Sequence, residues 1–199
     1  MSGNATGAAG SARRARTDAR LADTVTDLLY RHGYTGLTIE RVASESGVAK
    51  TTIYRRWATK AEMVFDLAIH RAEELPPIDT GTLAGDVELL AERAVHLVAG
   101  EPGRAVLPGL LADMSGDADL TERLRQGFIG AARDDIAAVL DRAHERDELR
   151  ASANAANFHA ALLGIPYAQV HLLGHADMKA LTRSLAVQLL TLLGAQPAD

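Results

Sequence analysis

Residues 37–60, LTIERVASESGVAKTTIYRRWATK, decide the fold. Read at a helical period, Ile39, Val42 and Ala43 share one face, Gly47 and Val48 interrupt it, and Ile53 restarts it on a second short helix. Ala43, Gly47 and Ile53 each have a steric role where two helices meet at a sharp corner. The small residue lets the second helix approach, glycine permits the positive φ of the turn, and the β-branched side chain fills the seam. The pattern is that of a helix-turn-helix.

This packing leaves Lys50, Thr51, Thr52, Tyr54, Arg55 and Arg56 for the outer face of the second helix. Those side-chain types bind phosphates and base edges. Thr38 stands where an N-cap would open the first helix of the motif. Thr59 with Glu62 has the spacing of a capping box opening the helix that follows, next to Lys60. Both helix starts offer free N–H groups to phosphates. Helix-turn-helix spacing also occurs in helical pairs that never touch DNA; the basic and hydroxylic face, Tyr54, Trp57 and Lys60 favour double-stranded DNA as the partner.

With the helix before it, the stretch resembles the TetR family of bacterial repressors. The matching residues are Gly33-Tyr34, Leu37-Thr38-Ile39, Ala43, Gly47-Val48, Thr52-Ile53-Tyr54-Arg55-Arg56-Trp57 and Lys60. Ala49 stands where the family commonly has serine, and Ala58 where it commonly has proline. The tract Leu162-Leu163-Gly164-Ile165-Pro166-Tyr167 also resembles a glycine–proline–tyrosine tract in helix eight of many of the family's regulatory domains. The resemblance implies an all-α fold: an N-terminal three-helix DNA-binding head on a C-terminal helical body that binds a ligand and dimerises.

Composition agrees with that division. The chain has 199 residues, 47% hydrophobic and 24% charged, and no cysteine, so neither disulfides nor thiolate chemistry is available. No apolar run is long enough for a membrane helix and no hydrophobic signal core opens the chain, so a cytoplasmic protein with no membrane contact is expected. The net charge of -5 divides unevenly: residues 1–60 carry +5 and residues 61–199 carry -10. A basic head on an acidic body fits a chain that meets DNA at one end.

Taken in order, residues 1–16 read as a disordered basic arm. Arg13, Arg14 and Arg16 either form a solvated tail or reach phosphates or the minor groove. Residues 17–60 form the helix-turn-helix domain; its first helix carries Leu21, Val25, Leu28 and Leu29 inward and stops at Gly33. Residues 61–199 form the effector-binding and dimerisation domain. A fourth helix runs from Thr59 to about Leu75, Pro76-Pro77 ends it, and a linker follows. The remaining helices are expected near 83–99, 103–114 (interrupted by Pro108), 117–148, 154–173 and 176–193. Helices eight and nine are apolar around more of their circumference than a surface helix needs, so a homodimer through them is expected.

A cavity within helices five to eight would be mostly aliphatic, with His96, Met114, Phe128, His159, Tyr167 and His171 as candidate effector contacts. Each also has a plain reading as core or surface. His171 and His175 have the i, i+4 spacing of a metal pair, but read equally as solvated histidines at a helix end. No metal, no cofactor and no catalytic residues are expected, because nucleophile elbows, phosphate loops and dinucleotide-binding glycine patterns are missing from the sequence. The functional expectation is a repressor released from its operator by a small hydrophobic effector. The alternatives are a dimeric DNA-binding protein without effector and a helical interaction module.

Overall fold

The computed structural model describes residues 5–69, 76–149 and 153–194. Among these the regular structure is helical, and nine helices follow one another when helices continuing through a π turn are counted once. They fold as two compact units. One takes the described residues of Met1–Glu74 and Ala105–Leu120, the other those of Leu75–Arg104 and Thr121–Asp199. The expected boundary at residue 60 therefore lies further along the chain, and most of the sixth helix belongs with the head.

In the first unit, α1 (Ala5–Gly36) carries Leu21, Val25, Leu28 and Leu29 into the core, and Gly33 breaks it at φ 64, ψ 179. The disordered arm expected over 1–16 is corrected from residue 5 onward, where the chain is helical; residues 1–4 lie outside the described residues. Ala5, Ala8, Ala9, Ala12 and Ala15, with the arginines, supply helix propensity that outweighs Gly7 and Gly10.

The helix-turn-helix is α2 (Ile39–Ser46) and α3 (Lys50–Tyr54). Thr38 caps α2 by accepting from the Arg41 amide at 3.2 Å, and Gly47 makes the turn at φ 66. The Ser46 hydroxyl, buried at the corner, accepts from the Val48 amide at 3.2 Å. Val42, Val48 and Ile53 close the seam and are buried. Thr59 opens α4 (Lys60–Val64) with a capping box: its hydroxyl accepts from the Glu62 amide and Glu62 accepts from the Thr59 amide. α4 continues into a π turn, Phe65–Ile69. The rest of the helix expected to reach Leu75 lies outside the described residues. α6 (Gly103–Gly116) runs through Pro108, whose missing N–H leaves the Arg104 carbonyl without its helical partner.

In the second unit, α5 (Leu83–Ala99) packs against the last two helices, burying Val87, Leu90, Ala91, Ala94 and Val98. α7, which belongs to this unit from Thr121 onward, is the expected long helix: Ala118–Leu124, a π turn over Arg125–Ile129, then Gly130–Glu145. α8 (Ala155–Tyr167), capped by Asn154, continues through the π turn Ala168–Leu172, and α9 (Met178–Leu192) is capped by Asp177. The expected linker from Ile78 to Gly81, with the prolines before it, is held by hydrogen bonds. Arg93 donates to the Pro76 carbonyl at 2.8 Å, Arg142 donates to the Ile78 carbonyl, and the Thr80 amide donates to Asp86 at 2.6 Å.

Candidate nucleic-acid interface

On the outer face of α3, Lys50, Thr51, Tyr54 and Arg55 are exposed and Thr52 is half-buried. Ala49 opens α3 at φ -58, ψ 137 with no side-chain cap. Lys50 pairs with Glu40 of α2 at 3.1 Å, both side chains being about half exposed. Hydrogen bonding at its own backbone amide and the Lys50 ammonium hold the Glu40 carboxyl below its usual range. Such an exposed pair, screened by solvent, does little to fix the Lys50 side chain. Thr38 is exposed at the N-cap of α2.

Arg56 and Lys60 have partners of their own. Arg56 meets Asp18 of α1 with both arms, Nη2–Oδ2 at 2.8 Å, and its guanidinium lies 4.8 Å from the Trp57 ring centroid. The hydrogen bond to Asp18 raises its pKa against partial burial. Trp57 in turn donates Nε1–H to Asp66 at 2.8 Å. The Lys60 ammonium donates to the Tyr34 carbonyl at 3.3 Å and lies 4.0 Å from the Tyr34 ring centroid. Arg13, Arg14 and Arg16 are carried on α1, where Arg14 and Arg16 are exposed.

The effector candidates are less gathered. Met114 falls in the first unit, whereas His96, His159, Tyr167 and His171 fall in the second; the Phe128 side chain lies outside the described residues. His96 is exposed on α5. His159 is half-buried, and burial followed by the Arg133 charge pushes its imidazole below the usual histidine range. Tyr167 and His171 are in contact, ring centroids 4.6 Å apart, and the His171 Nε2 is buried with no hydrogen-bond partner among the described residues. His175 follows α8 in a loop, so its spacing from His171 is not realised on a helix. A cleft of about 370 Å³ opens between α8 and α9, lined by Ile165, Pro166, Gln169, Leu181, Ser184 and Gln188 among others. None of the five described candidates lines it.

Two family descriptions match this architecture. The bacterial regulatory protein model of the tetR family matches residues 23–67, and the tetracyclin repressor-like C-terminal domain matches residues 77–192. The chain belongs to the TetR family. The uncharacterized HTH-type transcriptional regulator Rv1556 of Mycobacterium tuberculosis is 33% identical over 130 residues, which is 63% of this chain and 62% of that protein. The chain thus spans less than two thirds of that relative's length. The DNA-binding transcriptional repressor TetR of Mycobacteroides abscessus is 31% identical over 143 residues, 69% of this chain and 73% of that one. The crystal structure of the TetR-family regulator SCO0332 superimposes with a TM-score of 0.72 at 29% identity, covering 88% of this chain and 97% of that chain.

Several residues that shape the head of this TetR-family chain escaped the reading of its sequence. Asp18 engages Arg56, Glu40 engages Lys50, and the Tyr34 hydroxyl donates to Asp113 of α6 at 2.6 Å. Gly33-Tyr34 marked the end of α1, but no spacing rule connects Tyr34 to a carboxylate 79 residues later.

Proposed function

We propose that the chain is a transcriptional repressor that binds double-stranded operator DNA as a homodimer and is released by a small hydrophobic molecule. The observation that carries this reading is the outer face of α3. Lys50, Thr51, Tyr54 and Arg55 are exposed there, while Ile53 is fully buried behind them. Tyr54 and Lys60 serve phosphates, and Lys50, Thr51 and Thr52 serve base edges, because a recognition helix enters the groove with its N-terminal residues nearest the bases. Thr38, Arg55 and the α1 arginines Arg13, Arg14 and Arg16 add backbone contacts.

Dimerisation through α8 and α9 is supported by exposed Leu172, Leu173, Val187 and Leu192, and by the cleft between the same helices. We assign that cleft to the partner subunit, and Tyr167 with His171 to the effector. The test is selection of bound fragments from random-sequence DNA, followed by titration of the winner and a scrambled duplex across salt concentrations. A pseudo-palindromic winner with a steep salt dependence is expected. Equal affinity for both duplexes, or affinity independent of salt, would overturn the reading.

A further inference from the structure

We propose that Tyr34 is a positioning residue for DNA binding: its carbonyl and ring hold the Lys60 ammonium at the start of α4, and its hydroxyl ties that placement to Asp113 of α6. The proposal rests on the reading of Lys60 as a phosphate contact.

Tyr34 is fixed from several sides. It is 4% exposed, its hydroxyl donates to the Asp113 Oδ2 at 2.6 Å, and α6 comes so close at Gly109 that a Cβ there would lie 2.3 Å from the Tyr34 Cδ1. Burial, followed by the hydrogen bond to Asp113, pushes the phenol's pKa far up, so the hydroxyl stays a donor at any working pH. The Lys60 ammonium then takes two contacts from this one residue: the carbonyl at 3.3 Å and the ring face at 4.0 Å from its centroid. An ammonium has three N–H groups, so a donor remains for a phosphate oxygen. A lysine held this way has given up rotamer freedom before DNA arrives, which favours binding.

Both contacts belong to the residue whose tip Asp113 grips. A displacement of α6 therefore either carries the ring with it or breaks the 2.6 Å bond, and Lys60 feels each outcome. Phenylalanine would fill the same volume. If Tyr34 served packing alone, loss of the hydroxyl would change stability without acting through Lys60.

The experiment uses the full chain and a fluorescent mixed-sequence DNA duplex, titrated across salt concentrations well below each variant's unfolding temperature. Lys60→Ala is expected to lower the salt slope by about one. Tyr34→Phe and Asp113→Asn, which delete the same hydrogen bond from opposite ends, are each expected to weaken binding by about threefold, the scale of one modest cation–π or hydrogen-bond contribution. In the Lys60→Ala background both are expected to have no effect, since coupled groups are non-additive. An undiminished loss in that background, or no loss in the wild-type background, overturns the proposal. If Lys60→Ala itself changes neither slope nor affinity, the phosphate reading of Lys60 falls first and takes the proposal with it.

Discussion

Arg56 and Asp18 form a two-armed ion pair that fastens the end of the recognition helix to α1, each Nη meeting one carboxylate oxygen and the guanidinium lying over Trp57. Arg56 thus frames the head in the free protein. The pair is less than one third exposed, so its loss costs more than that of a surface pair, and about 1 kcal/mol is expected. Removing Asp18 also releases a cation beside the DNA-facing surface. Asp18→Asn is therefore expected to lower the urea midpoint while raising DNA affinity at low salt and steepening its salt dependence. Parallel changes in stability and affinity would show that Arg56 serves only the frame.

Asp86 contributes a pH dependence to the second unit. Burial alone would raise its pKa, but the Thr80 amide, the Thr80 hydroxyl and Arg146 hold the carboxyl below its ordinary value. A carboxylate whose folded pKa is depressed adds stability above its unfolded value of about 3.9, and that stability is lost as pH falls through the folded value. Asp86→Asn is expected to cost about 2 kcal/mol at neutral pH, the scale of hydrogen bonds to a buried charged group. Denaturation of both proteins from neutral pH down through the carboxylate range should show the difference shrinking. A constant difference would place the effect in packing instead.

The features legible in the sequence are those whose partners lie within one helical turn. Thr38 with Arg41, Thr59 with Glu62 and the Gly47 turn follow from local backbone chemistry, and the stripe Leu21, Val25, Leu28, Leu29 follows from the helical period. The features that the sequence does not reveal depend on tertiary neighbours. Arg56 has the composition of a phosphate contact, yet a carboxylate 38 residues away occupies it in the free protein. Met114 follows the linker in sequence, whereas most of α6 folds with the head. The body's cleft escaped for the same reason, since its lining converges from two helices whose facing sides no periodicity specifies.

Gly109 is required by the Tyr34 ring rather than by any turn. A methyl group there would stand 2.3 Å from Cδ1 and 3.0 Å from Cγ, and the ring is buried and cannot swing clear. Overpacking of this kind costs about 1–3 kcal/mol. Gly109→Ala is expected to be destabilising by that amount in thermal or urea denaturation, although alanine normally favours a helix. A neutral or stabilising result would mean that α6 can move away from the ring.

The dimer prediction follows from what α9 buries and what it leaves bare. Leu181, Leu185 and Leu189 are buried, while Val187 and Leu192 are 49% and 56% exposed. Exposed apolar residues scattered singly are normal; here they accompany exposed Leu172 and Leu173 at the end of α8 and an open cleft between the two helices. Two copies packed through these helices would present two heads, which reach successive half-sites about 34–36 Å apart or a multiple of that distance. Placing like charges at a two-fold interface sets each copy against the other, because an isologous patch meets itself. Val187→Glu with Leu192→Glu is therefore expected to convert a dimer of 21.1 kDa chains into monomers in sedimentation at micromolar concentration, without lowering the thermal stability of the single chain. Binding to a two-half-site operator should then weaken far more than binding to one half-site, since the second head no longer gains from effective concentration. A wild-type monomer, or a doubly charged variant that still sediments as a dimer, would remove α9 from the interface.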